Sequence, residues 1–219
     1  MKVKSEGKTM HPLPTKVLVD SVYCIGDGVA NMYLIKTKDK YIAFDAGQNV
    51  KKIQSELKGL SVDCSKVIAV FLTHSDRDHI AALELFKNAK VYLSKAEKTM
   101  VDQKKRRLAI FHNKLPERQY ITLNDCEVVN TGGAYIEGIL TPGHTTGSMC
   151  YLVNGRDLFT GDAFSFQYDE TKPFNDFFNM NTKESIESLK KIKGLETAQY
   201  FFTGHYGFGE YDRLFRSGE

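Results

Sequence analysis

The sequence predicts an α/β fold in which two β-sheets pack face to face with helices on their outer sides. Two observations carry this prediction. Apolar runs rich in β-branched and aromatic residues alternate with segments whose apolar residues recur at helical spacing. Runs of strands flanked by helices occur in both halves of the chain, and stacked layers of this kind bury the apolar face of each element.

The 219 residues read as one unit, because no linker, fixed-period repeat or low-complexity segment divides them. A chain of this length buries roughly 70% or more of its unfolded surface, so no disulfide staple is required. We therefore expect a single domain over residues 1–219, in which residues 1–15 form a loosely ordered N-terminal segment.

The elements of the first half follow from the spacing of apolar residues. A turn at Lys38-Asp39 separates two strands, and Gly59 is the expected end of the first helix. The predicted strands are residues 16–23, 31–37, 40–44, 67–72 and 91–93. The predicted helices are residues 49–57, 78–86 and 94–107.

The second half repeats this plan in outline. Its one predicted helix covers residues 182–192, with Thr182 as the N-cap and acidic Glu184 and Glu187 in the first turns. The predicted strands are residues 120–123, 127–130, 135–140, 149–153, 157–160 and 198–202.

Cysteine usage and the absence of long apolar segments indicate a cytoplasmic protein. The first sixteen residues contain no apolar signal-peptide core, and no stretch reaches the ~18 apolar residues of a membrane span. The cysteines show no CxxC spacing, which disfavours a zinc ribbon or a redox pair and favours reduced thiols. They are Cys24, Cys64, Cys126 and Cys150.

The charge balance is ordinary, with a formal net charge of +3 and 26% charged residues. One dense basic cluster occurs, Lys104-Lys105-Arg106-Arg107. A solvent-exposed helix face is the favoured interpretation, since a nucleic-acid footprint needs more basic residues on one face. A nucleic acid is therefore not the expected partner.

Four short apolar runs each end in a threonine and then deliver a histidine or an aspartate. Because buried strands end in loops at the edge of a sheet, the side chains that follow them converge on one rim. The first run leads into residues 74–79, with the sequence HSDRDH. The candidate metal ligands are His74, Asp76, Asp78, His79, His144, Asp162 and His205.

Histidine and aspartate in this arrangement favour a centre for two metal ions. Ser75 separates His74 from Asp76, and residues two apart on an extended segment face the same side, so both reach one ion. Imidazole suits zinc or iron, whereas carboxylate oxygens bridge hard divalent ions. A single motif could be a loop histidine, and Asp78 alone could cap a helix. All the motifs together favour the metal centre.

The motifs resemble, in order and over nearly the whole chain, those of the metallo-β-lactamase superfamily. Its first motif is usually HxHxDH, and here it reads HxDxDH. The resemblance implies an αββα sandwich of two mixed β-sheets flanked by helices, with the site at one edge. It also implies one ion held by His74, Asp76 and His144, a second held by Asp78, His79 and His205, Asp162 as the bridge, and Asp45 as the carboxylate that orients ligands.

Asp76 is the departure, because most members have histidine there. A carboxylate adds negative charge, favours harder ions and lowers the Lewis acidity of the ion it binds. Two divalent ions are expected, with zinc first and iron or manganese as alternatives. The flavodiiron proteins of the superfamily carry glutamate at this place, but also a flavodoxin-like domain for which the sequence to Glu219 leaves no room.

The function predicted from the motifs is a metal-dependent hydrolase. A hydroxide between the ions would attack an ester, thioester, lactone or phosphodiester, with Asp162 and Asp78 as the catalytic carboxylates. The alternative is a non-haem di-iron protein that binds oxygen or performs redox chemistry. A binding module with a vestigial site is disfavoured, since every ligand position carries a coordinating residue.

Aromatic residues near the motifs are the candidates for contact with a small-molecule substrate. Phe166 and Tyr168 follow the bridging aspartate, and Tyr206 follows the last histidine as a candidate proton donor. All three could instead pack against the core, because aromatic side chains bury large areas. The sequence leaves the substrate class and the oligomeric state open.

Overall fold

The computed structural model describes residues 10–108, 111–167 and 170–215. The strands of these ranges are β1 (Lys16–Val17), β2 (Val22–Gly26), β3 (Asn31–Thr37), β4 (Lys40–Phe44), β5 (Val67–Phe71), β6 (Lys90–Ser94), β7 (Arg106–Leu108), β8 (Phe111–His112), β9 (Ile121–Leu123), β10 (Glu127–Thr131), β11 (Ala134–Leu140), β12 (Met149–Val153), β13 (Asp157–Gly161), β14 (Phe164–Gln167), β15 (Glu170–Pro173), β16 (Tyr200–Thr203) and β17 (Gly207–Glu210). The helices are α1 (Val50–Gly59), α2 (Arg77–Ile80), α3 (Lys95–Asp102), α4 (Thr182–Lys193) and α5 (Tyr211–Phe215).

Two mixed β-sheets form the centre of the fold. The first has the strand order β1-β2-β3-β4-β5-β6-β9, and the second has the order β10-β11-β12-β13-β16-β17. Strands β4, β5 and β6 run parallel in the first sheet, as do β13 and β16 in the second, while the remaining pairs are mostly antiparallel. The hairpins β7–β8 and β14–β15 pair separately from both sheets.

Aromatic side chains fill the space between the sheets. Phe44 of β4 stacks on Phe159 of β13, with ring centroids 3.9 Å apart and planes inclined by 2°. Phe71 of β5 contacts Tyr151 of β12 edge to face, at 5.2 Å between centroids. Burying one such phenylalanine contributes roughly 1.5–3 kcal/mol, so this layer fixes the separation of the two sheets.

Helices cover the outer faces of the sheets. Ile53 and Leu57 lie on one side of α1 and are buried against the first sheet. Leu189 and Ile192 of α4 are buried against the second sheet. The predicted αββα sandwich is therefore confirmed. None of the helices in the described ranges has the length and apolar composition needed to cross a bilayer.

Strand direction brings the candidate ligands to one edge. Strand β12 is antiparallel to both β11 and β13, and β16 is parallel to β13, so β11, β13 and β16 all end at the same edge of the second sheet. His144 follows β11, Asp162 follows β13 and His205 follows β16, while His74 follows β5 of the first sheet.

Two predicted helices are shorter in the structure. In place of a helix over residues 78–86, α2 ends at Ile80, because the N–H of Ala82 bonds to the carbonyl of Gly47 rather than continuing the helix. In place of a helix over residues 94–107, α3 ends at Asp102. Lys104 then takes a left-handed φ of 50°, and β7 begins at Arg106.

Two boundaries were also predicted wrongly. The N-cap of α4 is Asn181 rather than Thr182, and its side chain accepts from the N–H groups of Lys183 and Glu184. The predicted strand over residues 16–23 is divided into β1 and β2, because Asp20 adopts a φ of 46° and forms a turn.

Part of the N-terminal segment is attached to the fold. The N–H of His11 donates to the carbonyl of His205 over 2.8 Å, and the N–H of Leu13 donates to Asn31 Oδ1 over 2.7 Å. Residues 1–9 lie outside the described residues. Loose order over the start of the chain therefore stays a prediction for them.

Candidate metal centre

Six candidate ligands form two groups of three donor residues. His74, His144 and Asp162 make one group, whose donor atoms all lie within 4.8 Å of one another. The second group contains Asp78, His79 and His205 and meets the same limit of 4.8 Å. Asp162 and all four histidines are buried, so these donors face one another rather than bulk water.

Asp162 lies between the two groups. Its Oδ2 is 3.4 Å from Nε2 of His144, 3.9 Å from Nε2 of His74 and 3.2 Å from Nε2 of His205. Its Oδ1 is 3.6 Å from Nε2 of His79. A carboxylate within reach of histidines from both groups has the position that a bridging ligand needs.

His79 is oriented by a buried carboxylate. Its Nδ1 lies 2.8 Å from Oδ2 of Asp45, which leaves Nε2 to face the centre. Thr73 donates its backbone N–H to Oδ1 of Asp45 over 2.8 Å and its hydroxyl to Oδ2 over 2.9 Å. Asp45 thus has the environment of a residue that fixes a ligand's orientation, which is the role that the resemblance implied for it.

Two further histidines are oriented in the same way. Nδ1 of His205 lies 2.7 Å from the carbonyl of Val29, which accepts its proton. Nδ1 of His74 lies 3.0 Å from the hydroxyl of Thr73. In each ring the contact at Nδ1 leaves Nε2 as the nitrogen that points toward Asp162.

The donors present suit divalent ions. Within the described residues, Nε2 of His74 and Oδ1 of Asp162 are buried without a hydrogen-bond partner. Buried polar atoms are nearly always paired, so two orphaned acceptors facing one space indicate a ligand. Three imidazoles or carboxylates per ion is the donor set that zinc and iron take in proteins.

Mutual charge holds the donor residues together. Burial alone would raise the pKa of Asp162, but His205 and His79 outweigh it and hold that pKa well below its usual range. Burial alone would lower the pKa of His205, yet Asp162 and Asp78 raise it to about 10. Burial, reinforced by neighbouring His79, lowers the pKa of His74 well below its ordinary value. Binding a metal would therefore release protons from this cluster.

Asp76 lies beside the centre but belongs to neither group of three. Its carboxylate accepts from Arg107, with Nε 2.8 Å from Oδ1 and Nη2 2.7 Å from Oδ2. Asn113 donates Nδ2 to Oδ1 over 2.6 Å, and Nε2 of His144 lies 3.2 Å from Oδ2. Whether Asp76 also binds an ion stays a prediction.

Arg107 is a site residue that the sequence did not indicate. The expectation of a solvent-exposed helix face for the basic cluster is wrong here, since Arg107 lies on β7 and its side chain is only 3% exposed. Neighbouring Arg106 is exposed as expected, but it lies on β7 rather than on a helix. The alternation between exposed Arg106 and buried Arg107 extends over only two residues, which is too short to be recognised in the sequence.

Glu97 is a second missed residue, and it links the two loops that carry His74 and His144. Glu97 accepts from the N–H of Ser75 over 2.8 Å and from the hydroxyl of Thr145 over 2.7 Å. The Glu97 side chain is fully buried on α3, and burial raises its pKa. A glutamate in an amphipathic helix usually faces solvent, so its position in the sequence gave no indication.

Aromatic residues form one wall of the centre. Phe174 is buried, with its ring centroid 4.8 Å from that of His144 and 5.9 Å from that of His205. Tyr206 contacts Phe174 at 6.0 Å between centroids and Phe166 at 6.5 Å. Tyr168 lies outside the described residues. Substrate contact by Tyr206 and Phe166 remains a prediction, and Phe174 extends the same wall to the histidines.

Comparison with known proteins supports the predicted family. The family model of the metallo-beta-lactamase superfamily matches residues 25–205. The probable polyketide biosynthesis zinc-dependent hydrolase BaeB of Bacillus velezensis is 35% identical over 159 residues, covering 70% of this chain and 60% of that protein. The chain thus spans less than two thirds of the length of that relative.

Two further relatives carry names of the same kind. The probable polyketide biosynthesis zinc-dependent hydrolase PksB of Bacillus subtilis is 30% identical over 190 residues, covering 84% of this chain and 72% of that protein. The atrochrysone carboxyl ACP thioesterase of Aspergillus fumigatus is 24% identical over 168 residues, covering 75% of this chain and 47% of that protein.

Solved structures agree on the fold. MEM-A1, a subclass B3 metallo-beta-lactamase from a soil metagenome library, superposes with a TM-score of 0.71 at 18% identity, covering 89% of this chain and 80% of that one. A B3 metallo-beta-lactamase with an active-site glutamic acid gives a TM-score of 0.68 at 17% identity, covering 94% and 88%. With the matching family model and these folds, the chain belongs to the metallo-β-lactamase superfamily.

Proposed function

We propose that this chain is a metal-dependent hydrolase with two divalent ions, zinc first, and that its substrate is a small acyl thioester. The position of Asp162 carries the two-ion part of the proposal, because its carboxylate reaches histidines of both donor groups. When bound, the ions would supply an activated water nucleophile and polarise the scissile carbonyl.

The protein's own residues would bind and orient the reactants. Asp162 Oδ1 is a buried acceptor without a hydrogen bond in the described part of the chain, and Nε2 of His79 lies 3.6 Å from it. This oxygen is suited to hold a hydrogen of the attacking water. Asp78 faces the same space, with its Oδ2 3.3 Å from Nε2 of His205. Both carboxylates are also donors in the two groups, so they would hold the ions together with the histidines and position the nucleophile.

The aromatic wall favours an apolar acyl group. Phe174 and Tyr206 flank the histidines on one side, and such surfaces bind apolar groups by excluding water. Two relatives are named as polyketide biosynthesis hydrolases and one as an acyl-carrier thioesterase, which supports thioester cleavage over phosphodiester cleavage. The zinc in two of these names supports hydrolysis over the di-iron redox alternative.

Tyr206 is proposed as the proton donor to the leaving group, and its importance should differ between thioesters and oxygen esters. Burial, with neighbouring Asp162, raises the pKa of the Tyr206 phenol, so it stays protonated at neutral pH and can donate a proton. A thiolate leaving group, with a pKa of roughly 8.5, needs less protonation than an alkoxide does. A donor at Tyr206 should therefore matter more for oxygen esters than for thioesters.

The test is a substrate panel with matched leaving groups. Zinc-loaded protein is assayed on N-acetylcysteamine thioesters, on the corresponding oxygen esters and on bis(p-nitrophenyl) phosphate, with Asp162→Asn as the inactive variant. Asp102→Asn, an exposed aspartate on α3, is the matched control. Thioesters should give the highest kcat/KM, with activity lost in Asp162→Asn and kept in Asp102→Asn. Turnover of the phosphodiester alone would contradict the thioester assignment.

The same protein distinguishes hydrolysis from redox chemistry. Zinc-loaded protein should be colourless and unaffected by air. If hydrolysis is absent on the whole panel while bound iron gives visible absorption that changes when reduced protein meets air, the redox alternative replaces the proposal.

A further inference from the structure

Arg107 contacts two residues that lie at the candidate site for one ion. The guanidinium makes a two-point contact with the carboxylate of Asp76, at 2.8 Å and 2.7 Å. The same Nη2 lies 2.8 Å from Nε2 of His144. His144 belongs to the donor group with His74 and Asp162, so the guanidinium stands at the border of that group.

The guanidinium also lies against the imidazole of His144. Nη2 of Arg107 is 2.8 Å from Nε2 and 3.5 Å from Nδ1 of that ring, so it lies over the ring rather than on the in-plane lone pair of Nε2. Arginine keeps its positive charge in proteins. An ion bound through Nε2 of His144 would therefore lie beside a fixed positive charge that repels it.

Burial strengthens the repulsion between the Arg107 charge and an ion at this site. The side chain is 3% exposed, so solvent screens it poorly from a nearby dication. Its partner Asp76 is already engaged by two side chains, since Oδ1 also accepts from Asn113 over 2.6 Å. As long as this pair persists, Asp76 lends little negative charge to an ion at His74 and His144.

The second donor group has no comparable competitor among the described residues. The side chains within hydrogen-bond or ion-pair distance of His79 and His205 are Asp45, Asp78 and Asp162, together with each other. All three carboxylates favour a cation there. The two donor groups thus differ in electrostatic environment, although each offers three ligands.

We propose that Arg107 is an internal competitor for one of the two ions, so that the ion at His74, His144 and Asp162 binds more weakly than the ion at Asp78, His79 and His205. This inference rests on the two-ion centre of the proposed function. It assigns the asymmetry of that centre to one guanidinium, and it gives Asp76 the role of holding Arg107 in place.

Arg107→Gln and Arg106→Gln are the matched variants, because both remove one charge from β7 but only the first touches the centre. Metal-free protein is titrated with Zn²⁺ against a chromophoric chelator, which measures equilibrium binding without an activity assay. Native protein should show two dissociation constants that differ by at least about tenfold. Substitution of residues that hydrogen-bond to metal ligands changes metal affinity by about this much. In Arg107→Gln the weaker constant should tighten by about tenfold or more, and in Arg106→Gln it should change less than about twofold.

The weaker ion is assigned with ligand variants. His144→Ala should remove the weaker binding step and leave the tighter one, whereas His205→Ala should remove the tighter step. Arg107→Lys provides a second test if Arg107→Gln does not fold, since it keeps the charge but loses the two-point contact. Its weaker constant should be tighter than in native protein, because Asp76 is released from the two-point contact and its charge can favour the ion. An unchanged constant would contradict the role given to the Arg107–Asp76 pair.

Several results would overturn the inference. Two equal constants in native protein would contradict the asymmetry and leave the proposed function standing. A weaker second ion in Arg107→Gln than in native protein would show that Arg107 supports the ion instead. If neither native protein nor Arg107→Gln bound a second ion, both the inference and the two-ion function would fail.

Discussion

Oδ2 of Asp45 lies 2.8 Å from Nδ1 of His79, and this contact determines which imidazole nitrogen faces the metal centre. Asp45 holds this place with a left-handed φ of 59°, a conformation that asparagine also tolerates. The pair therefore provides a substitution that removes the charge while keeping the backbone.

Asp45→Asn should weaken the ion at His79 by roughly 10–100-fold, because the imidazole loses the carboxylate that orients it. Zinc titration against a competing chelator measures the change. Asp63→Asn removes a charge from an exposed turn and should leave both constants unaltered. Unchanged zinc affinity in Asp45→Asn would show that Asp45 does not support the ligand.

Gly204 occupies a position where a side chain would collide with the centre. A Cβ at Gly204 would overlap Oδ1 of Asp162 and lie 2.8 Å from Cε1 of His79. Gly204→Ala should displace Asp162, cost roughly 1–3 kcal/mol of stability and lower the affinity for both ions. Gly59→Ala is the matched control, since a Cβ there would meet no atom within 4 Å outside its chain neighbours and its own helix backbone. Equal metal content in the two variants would show that a side chain at position 204 does not disturb the metal ligands.

Glu97 should be important for stability as well as for the centre. In Glu97→Ala the N–H of Ser75 and the hydroxyl of Thr145 lose their buried acceptor, at about 1–3 kcal/mol for each unsatisfied group. A chain of this size should then melt about 2–4 °C lower for each kcal/mol lost. Glu97→Gln keeps one acceptor oxygen and should lose less. Thermal unfolding of the metal-free proteins measures the Tm of each, which should fall from native protein to Glu97→Gln and further to Glu97→Ala. A native-like Tm for Glu97→Ala would refute the role of Glu97 in stability.

Phe174 should affect substrate binding in proportion to acyl length. Phe174→Leu shortens the aromatic wall beside His144, so KM should rise more for long acyl thioesters than for acetyl thioesters, with kcat changed less. Phe177→Leu is the control, because the Phe177 side chain is 74% exposed. If KM rose equally in both variants, or if its rise did not depend on acyl length, Phe174 would be excluded from the substrate site.

The fold was predictable because its signals are local and repeated. Runs of strands flanked by helices occur in both halves of the chain, and the layered sandwich that they predicted is confirmed. Four of the apolar runs also end in threonine followed by histidine or aspartate. Strand direction then places His144, Asp162 and His205 at one edge of the second sheet. His74 follows β5 of the first sheet and joins the same group of donors. For these residues the sequence motifs and the sheet geometry therefore predict the same metal site.

The remaining features depend on contacts distant in sequence. Arg107 is inward because α3 ends at Asp102 and the chain continues as β7. The change uses a left-handed Lys104, and no turn motif in the sequence predicts it. Glu97 is buried because Ser75 and Thr145 lie opposite it, 22 and 48 positions away. Local periodicity contains no information about such partners.

The zinc content of the native protein and of Asp162→Asn tests the two-ion centre most directly. Both proteins are equilibrated with zinc, freed of loosely bound ions and measured by elemental mass spectrometry alongside Asp102→Asn. A carboxylate shared by both ions predicts about two zinc ions per chain in native protein and in the control, and loss of both in Asp162→Asn. Full zinc content in Asp162→Asn, or no stoichiometric metal in native protein, would contradict a two-ion centre bridged by Asp162.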